Sequence, residues 1–239
     1  GQRIVAGYNR YLKMFYTGMP GREYDTLRLG KSRYSKDGQK GIVSCVSFRD
    51  ADLGFPHVFA VGTYAGSVYL YDDRIPGSIA ADIIIQGTCV IGHGKNNRRK
   101  KKRKFEKSND EIFSAAKEKW FEKTVSGGVT QLTWSSDNNY LFSAARRSDQ
   151  VVSWDMRCLT SQDAVEIKGV ASYSRSGGTN QHVAFDLNDK TLFLGSCDGT
   201  VKIYDVTTGN CDKVITCNDA VNGVSYARDY GLLSVSTGC

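Results

Sequence analysis

Apolar and polar residues alternate with a period of two along most of this chain, in short runs closed by Gly, Ser, Asn or Asp. That period belongs to half-buried β-strands and not to helices. The runs repeat as a set. GIVSCVSF (41–48), GGVTQLTW (127–134), TNQHVAFD (179–186) and AVNGVSYA (220–227) each carry an aromatic after alternating Val, Leu, Ala or Cys positions. Each is followed by a second strand ending in small residues, namely VFAVGTYAG (58–66), YLFSAARRS (140–148), TLFLGSCDG (191–199) and LLSVSTG (232–238). Third strands SVYLYD (67–72), QVVSWD (150–155) and TVKIYD (200–205) come next, and RIVAGYNRYLKMFY at the start reads as second and third strands of an earlier unit.

Tyr71-Asp72, Trp154-Asp155 and Tyr204-Asp205 close the third strands, which is the Trp-Asp signature and its Tyr variant. The fold class expected is therefore all-β, a WD-repeat β-propeller, whose twisted sheets bury their faces against neighbouring sheets. Phe48, Trp134, Phe185 and Tyr226 occupy the signature aromatic slot, with spacings of 86, 51 and 41. Gly92-His93 is the Gly-His dipeptide that precedes a first strand, so residues 95–125 read as an insertion between blades. The organisation expected is blades over 1–94, a basic and helical insertion over 95–125, and blades over 126–239. Without the insertion, 208 residues remain. At about 40–45 per repeat that is about five units, so an incomplete fragment of a seven-bladed ring is expected, with incomplete first and last blades.

Composition sharpens the picture in one place. The formal charge is +7, yet residues 95–107 alone hold nine basic side chains against Glu106, so the other 226 residues carry −1. With 40% apolar and 11% aromatic residues the chain can bury a core. No run of about 18 apolar residues occurs, so no membrane-spanning helix is expected. Seven Cys without a C-x-x-C pair suggest neither a zinc module nor a disulfide scaffold and point to a reducing compartment.

The inserted segment has two halves. Arg98, Arg99, Lys100, Lys101, Lys102, Arg103 and Lys104 form an unbroken cationic run that self-repulsion keeps extended, open to an import receptor or to RNA phosphates. Ser108 and Glu111 make a capping-box pattern, and Ile112, Phe113, Ala116, Trp120 and Phe121 an apolar stripe, so a helix is expected over Asn109 to Lys123.

Catalytic chemistry is not indicated. His57, His93 and His182 fall at different repeat positions, and no nucleophile elbow or P-loop occurs. Asp72, Asp155 and Asp205 are expected to cap turns. The cysteines spread over strand positions (Cys45, Cys197) and loops (Cys89, Cys158, Cys211, Cys217). No cofactor, metal or small-molecule substrate is expected. A binding rim is. Loops between second and third strands, and those leading into first strands, converge on one face and carry Tyr8, Asn9, Arg10, Gln39, Lys40, Tyr64, Arg146, Arg147, Thr179, Asn180 and Gln181. Cations, amides and aromatics together suit unpaired RNA, which is held by phosphate contacts and base stacking.

Several segments resemble the telomerase Cajal body protein family: GYNRYLKMFYTGMPGRE (7–23), QKGIVSCVSF (39–48), AVGTYAGSVYLYD (60–72), FSAARRSDQVVSWDMR (142–157), TNQHVAFDLNDKTLFLGS (179–196) and AVNGVSYARDYGLLSVSTG (220–238). The resemblance implies a non-catalytic scaffold that binds small Cajal body or small nuclear RNA, including telomerase RNA. It further implies ribonucleoprotein partners and a place in the nucleus, in Cajal bodies. A purely protein-binding adaptor, for example in spliceosomal ribonucleoprotein assembly, stands as the alternative, with the basic run serving only nuclear import.

Overall fold

The computed structural model describes residues 3–9, 11–18, 24–28, 41–49, 57–72, 84–85, 127–157 and 169–238. The basic run, the helix expected over Asn109 to Lys123, Gly92-His93 and the whole 95–125 insertion lie outside these described residues. Within them the regular elements are strands joined by turns and loops, with a 3-10 turn at Arg228–Tyr230. Strands β1 (Arg3–Gly7), β2 (Tyr11–Tyr16) and β3 (Tyr24–Arg28) form a three-stranded sheet. Three four-stranded sheets follow. They comprise β4 (Val43–Phe48), β5 (Val58–Thr63), β6 (Val68–Asp72) and β7 (Ile84–Ile85); β8 (Val129–Trp134), β9 (Tyr140–Ala145), β10 (Gln150–Asp155) and β11 (Gly169–Ser174); and β12 (Phe185–Asn188), β13 (Thr191–Gly195), β14 (Thr200–Asp205) and β15 (Cys211–Thr216). Strands β16 (Val221–Ala227) and β17 (Leu232–Thr237) make a two-stranded sheet. In every sheet consecutive strands are antiparallel neighbours, the meander of a propeller blade.

The core lies between sheets. On β5, Phe59 and Val61 pack with Leu12, Met14 and Leu27 of the preceding sheet, while Ala60 joins Leu132, Trp134 and Leu141 of the next. On β9, Leu141 faces backward and Phe142 and Ala144 forward; on β13, Leu192 and Leu194 face backward and Phe193 forward. Strands β5, β9 and β13 are thus buried on both faces, which explains their nearly unbroken apolar sequences.

First strands stand side by side along the inner edge. The Ser44 hydroxyl donates to the Val129 carbonyl (2.5 Å), and Gln131 grips Phe185 at both its carbonyl (2.6 Å) and its N–H (3.1 Å). The Ala184 N–H donates to the Asn222 carbonyl at 2.8 Å. Each blade is therefore hydrogen-bonded to the next as well as packed on it.

The ladder corrects one sequence expectation. Phe48 pairs Phe59, Trp134 pairs Leu141 and Tyr226 pairs Leu233, but the residue opposite the equivalent Leu192 is Leu187. Leu187 holds the signature slot of that blade. Phe185 sits two residues earlier, opposite Leu194, fully buried where Val46, Leu132 and Val224 sit in other blades. A shift of two preserves the face, so Phe185 points into the core from either register. Strand β12 accordingly starts at Phe185, and 179–184 form its lead-in rather than strand. Two cysteines also differ: Cys197 lies in the β13–β14 turn and Cys211 opens β15.

The signature pair has two separate jobs. Buried Trp154 donates its indole N–H to the Ser143 hydroxyl across the β9–β10 ladder at 2.8 Å. Asp155 instead caps a turn, accepting from the Arg157 N–H (3.0 Å) and guanidinium (2.5 Å). Asp205 accepts from the Thr207 N–H (2.7 Å) and hydroxyl (2.6 Å). The guanidinium beside Asp155 and the hydroxyl beside Asp205 hold both carboxyls below the ordinary 3.8.

Two outcomes are expected. Ser143→Ala leaves the buried indole N–H without an acceptor and should cost about 1–3 kcal/mol of unfolding free energy in a denaturant titration. Because the Asp155 and Asp205 contacts stabilise only the ionised forms, their contribution is complete above the unfolded-state value of 3.8 and is lost as pH falls through the lower folded-state values. Thermal midpoints should be flat from about pH 5 to 7 and drop below about pH 4, less steeply in a D155N/D205N variant.

Candidate nucleic-acid interface

Each lead-in to a first strand lies against the turn between second and third strands of the preceding blade, and this contact builds the rim. At the first such junction the Val43 N–H donates to the Tyr8 carbonyl (3.2 Å), and Asn9 bridges Ile42. At the second, Gly128 comes so close to Tyr64 that a Cβ there would stand 2.6 Å from the Tyr64 Cα and 2.7 Å from its carbonyl oxygen. A Cβ on Gly127 would sit 2.1 Å from the Arg146 carbonyl oxygen. The Gly127-Gly128 dipeptide is thus required by two backbones pressed together. At the third, the Arg147 N–H donates to the Thr179 carbonyl at 3.0 Å.

These junctions bring five of the expected rim residues into one patch. Arg146 Nη2 and Arg147 Nε both donate to the Asn180 side-chain oxygen, at 3.0 and 2.8 Å. The Arg146 guanidinium lies 5.7 Å from the Tyr64 ring centre, and that ring is half exposed. Thr179 holds Arg147 from below and shapes its own loop, since its hydroxyl accepts the Gln181 N–H at 3.2 Å. Arg147 has φ 56°, a left-handed conformation that costs a residue with a Cβ about 1–2 kcal/mol. Neither guanidinium has a carboxylate partner among the described residues.

Tyr8 and Asn9 stand on the same rim one blade away. Tyr8 stacks on Tyr11 with ring centres 4.8 Å apart and planes 6° from parallel. Arg10, Gln39, Lys40 and the run Arg98 to Lys104 lie outside the described residues.

Sequence reasoning passed over three contributors. Lys13 sits 3.8 Å from the Tyr24 ring centre and 5.6 Å from that of Tyr8, extending the cation and aromatic surface down β2. Its signal was present as the single cation in the apolar run YLKMFY. Arg175, 4% exposed, ties the start of the Thr179 loop to its end by donating to the Val183 carbonyl (2.8 Å). Burial lowers it to about 10, so it stays charged at neutral pH. His182 is likewise pushed below 6.5, by desolvation and then by the Arg175 charge. Beyond this loop the rim changes sign, because the β13–β14 turn carries Asp198 and packs against Asp219. No cluster of three or more metal-ligating side chains forms among the described residues.

Comparison with known proteins agrees with this architecture. The family pattern "WD domain, G-beta repeat" matches residues 120–155 and 180–205. A chain in a structure titled "Crystal Structure of Mitotic Checkpoint Complex" superposes with a TM-score of 0.61 at 16% identity, covering all of this chain and 55% of that one, which shows the fold alone. The chain has the all-β propeller fold, with WD repeats over the two matched segments. Within that class it is similar to Telomerase Cajal body protein 1. It is 27% identical to the human protein over 249 residues and 28% identical to the Drosophila melanogaster homolog over 244, all of this chain being aligned in both cases. The chain spans about a third of the length of these curated relatives, 35% and 34%.

The Gly128 geometry yields a test of the rim. Gly128→Ala sets a methyl against two backbone atoms that cannot rotate away. It should lower unfolding free energy by about 1–3 kcal/mol in a denaturant titration.

Proposed function

We propose that this chain belongs to a non-catalytic WD-repeat scaffold that binds small Cajal body or small nuclear RNA and supports ribonucleoprotein assembly in the nucleus. The observation that carries the reading is the patch of Tyr64, Arg146, Arg147 and Asn180, in which two cations and a half-exposed ring converge without a carboxylate counter-ion among the described residues. Guanidiniums suit phosphate oxygens, and exposed tyrosines are platforms for unpaired bases. Tyr8, Lys13 and Tyr24 continue the same chemistry one blade back, while the acidic β13–β14 turn bounds it on the other side. Similarity to Telomerase Cajal body protein 1 supports an RNA of the Cajal body class and Cajal body localisation. The basic run Arg98 to Lys104, which by its sequence falls between two blades, serves nuclear import or adds phosphate contacts.

The intact protein, crosslinked in cells and pulled down, should retain small nuclear RNA. Purified, it should bind that RNA with an affinity that falls steeply with salt. Replacing Arg146 and Arg147 together by Ala should weaken binding about tenfold or more, with the thermal midpoint unchanged. The log–log salt slope should flatten by about 0.7 for each phosphate that the variant no longer neutralises. Retention of no small RNA would overturn the reading and favour the protein-binding adaptor.

A further inference from the structure

Two of the turns between second and third strands are built on one plan, and the turn of the third sheet departs from it. Counting from the ladder pairs Gly62 with Val68 and Gly195 with Val201, the turns between second and third strands hold residues 63–67 and 196–200. In both, the left-handed position is a glycine, Gly66 at φ 84° and Gly199 at φ 77°. The equivalent pair in the third sheet is Ala144 with Val151, and its turn, 145–150, is one residue longer. There the left-handed position is Arg147 at φ 56°, a residue for which this conformation is unfavourable. The extra residue moves the left-handed position one place earlier in the turn and puts an arginine there instead of glycine, which sets this turn apart from the other two.

What it presents is a pair of charges on a neutral holder. Asn180 has one side-chain oxygen with two lone pairs, and both are taken by cations, Arg146 Nη2 at 3.0 Å and Arg147 Nε at 2.8 Å. A carboxylate there would bind the guanidiniums more strongly and cancel their charge. An amide aligns them and leaves the charge standing. The nearest acid in the turn, Asp149, is engaged elsewhere, accepting the Gly177 N–H at 2.8 Å. The holder is itself anchored, through Thr179 to the Arg147 N–H and through the buried Arg175 at the foot of the loop.

We propose that Asn180 is the positioning residue of a two-arginine clamp for one phosphodiester of single-stranded RNA, with the neighbouring base laid on Tyr64. The proposal rests on the RNA-binding reading above and adds to it the contact geometry. Two guanidiniums turned toward a shared point bind one phosphate from two sides, each through N–H groups that Asn180 leaves free. Arg146, 5.7 Å from the Tyr64 ring centre, joins the phosphate position to the stacking surface.

The test measures fluorescence anisotropy of a short, labelled, mixed-sequence single-stranded RNA over a potassium chloride series. The intact protein is compared with N180A, N180D, N180S and R146A/R147A. N180A and N180S keep both charges and lose their alignment, so affinity should fall about tenfold with the salt slope unchanged. N180D supplies a carboxylate that pairs the arginines internally. Affinity should fall at least as far, the salt slope should drop by about 0.7, and the thermal midpoint should not decrease. A merely structural Asn180 would not separate affinity from slope in this way. Wild-type affinity in N180A and N180D, alongside weakened binding in R146A/R147A, would overturn the clamp and leave RNA binding by the rim standing. Unchanged binding in R146A/R147A would also overturn it. Failure of the unmodified protein to bind RNA would overturn the functional reading and the clamp with it.

Discussion

Everything in this molecule depends on sheets that are apolar on both faces. A second strand such as β5 sends Phe59 and Val61 to one side and Ala60 to the other, so no sheet can satisfy itself. Burying a large apolar side chain is worth about 1.5–3 kcal/mol. Each cluster between neighbouring sheets gathers several, including Leu12, Phe59 and Tyr71 in one and Phe142, Phe185 and Leu194 in another. The sheets therefore order one another in series, and stability is shared along the row rather than held within blades. Gln131 gripping the Phe185 backbone and Ser44 reaching the Val129 carbonyl tie neighbouring sheets together through their first strands.

The site is a by-product of that stacking. To pack face to face at the inner edge, each lead-in must pass the turn of the blade before it, and the passage is tight enough to need Gly128 and Gly177. Tyr64, Arg146, Arg147 and Asn180, widely separated in sequence, meet because three consecutive blades meet there. Turns and lead-ins alone supply the patch. Its charge survives because the holder is an amide, and because the acids of this rim are either occupied, as Asp149 is by Gly177, or carried on the next turn, as Asp198 is.

The strand pattern was legible because inner and middle strands alternate or run apolar, and the Trp-Asp and Tyr-Asp endings marked the third strands. Outer strands were not legible. Strand β15 is almost wholly exposed, so its sequence carries no burial pattern to read. The misplacement of the signature aromatic at Phe185 has a similar cause: Phe185 and Leu187 lie on the same face, and periodicity of two cannot tell registers two apart. Rim membership was legible as a set of loop residues. Which of them touch was not, and neither was the part played by Lys13 on β2 or by Arg175 at the foot of the Thr179 loop.

By itself the sequence determined the class of element, the repeat, the two-faced burial and the residues available at the turns, since each follows from local periodicity and from the short reach of turn chemistry. Only the tertiary structure decided that the third turn carries an extra residue, that Arg147 takes a left-handed backbone there, and that both guanidiniums share Asn180. The last of these depends on the register of one blade against the next. Register between blades is set by how side chains of two separate sheets interlock, and no local stretch of sequence contains both halves of that contact.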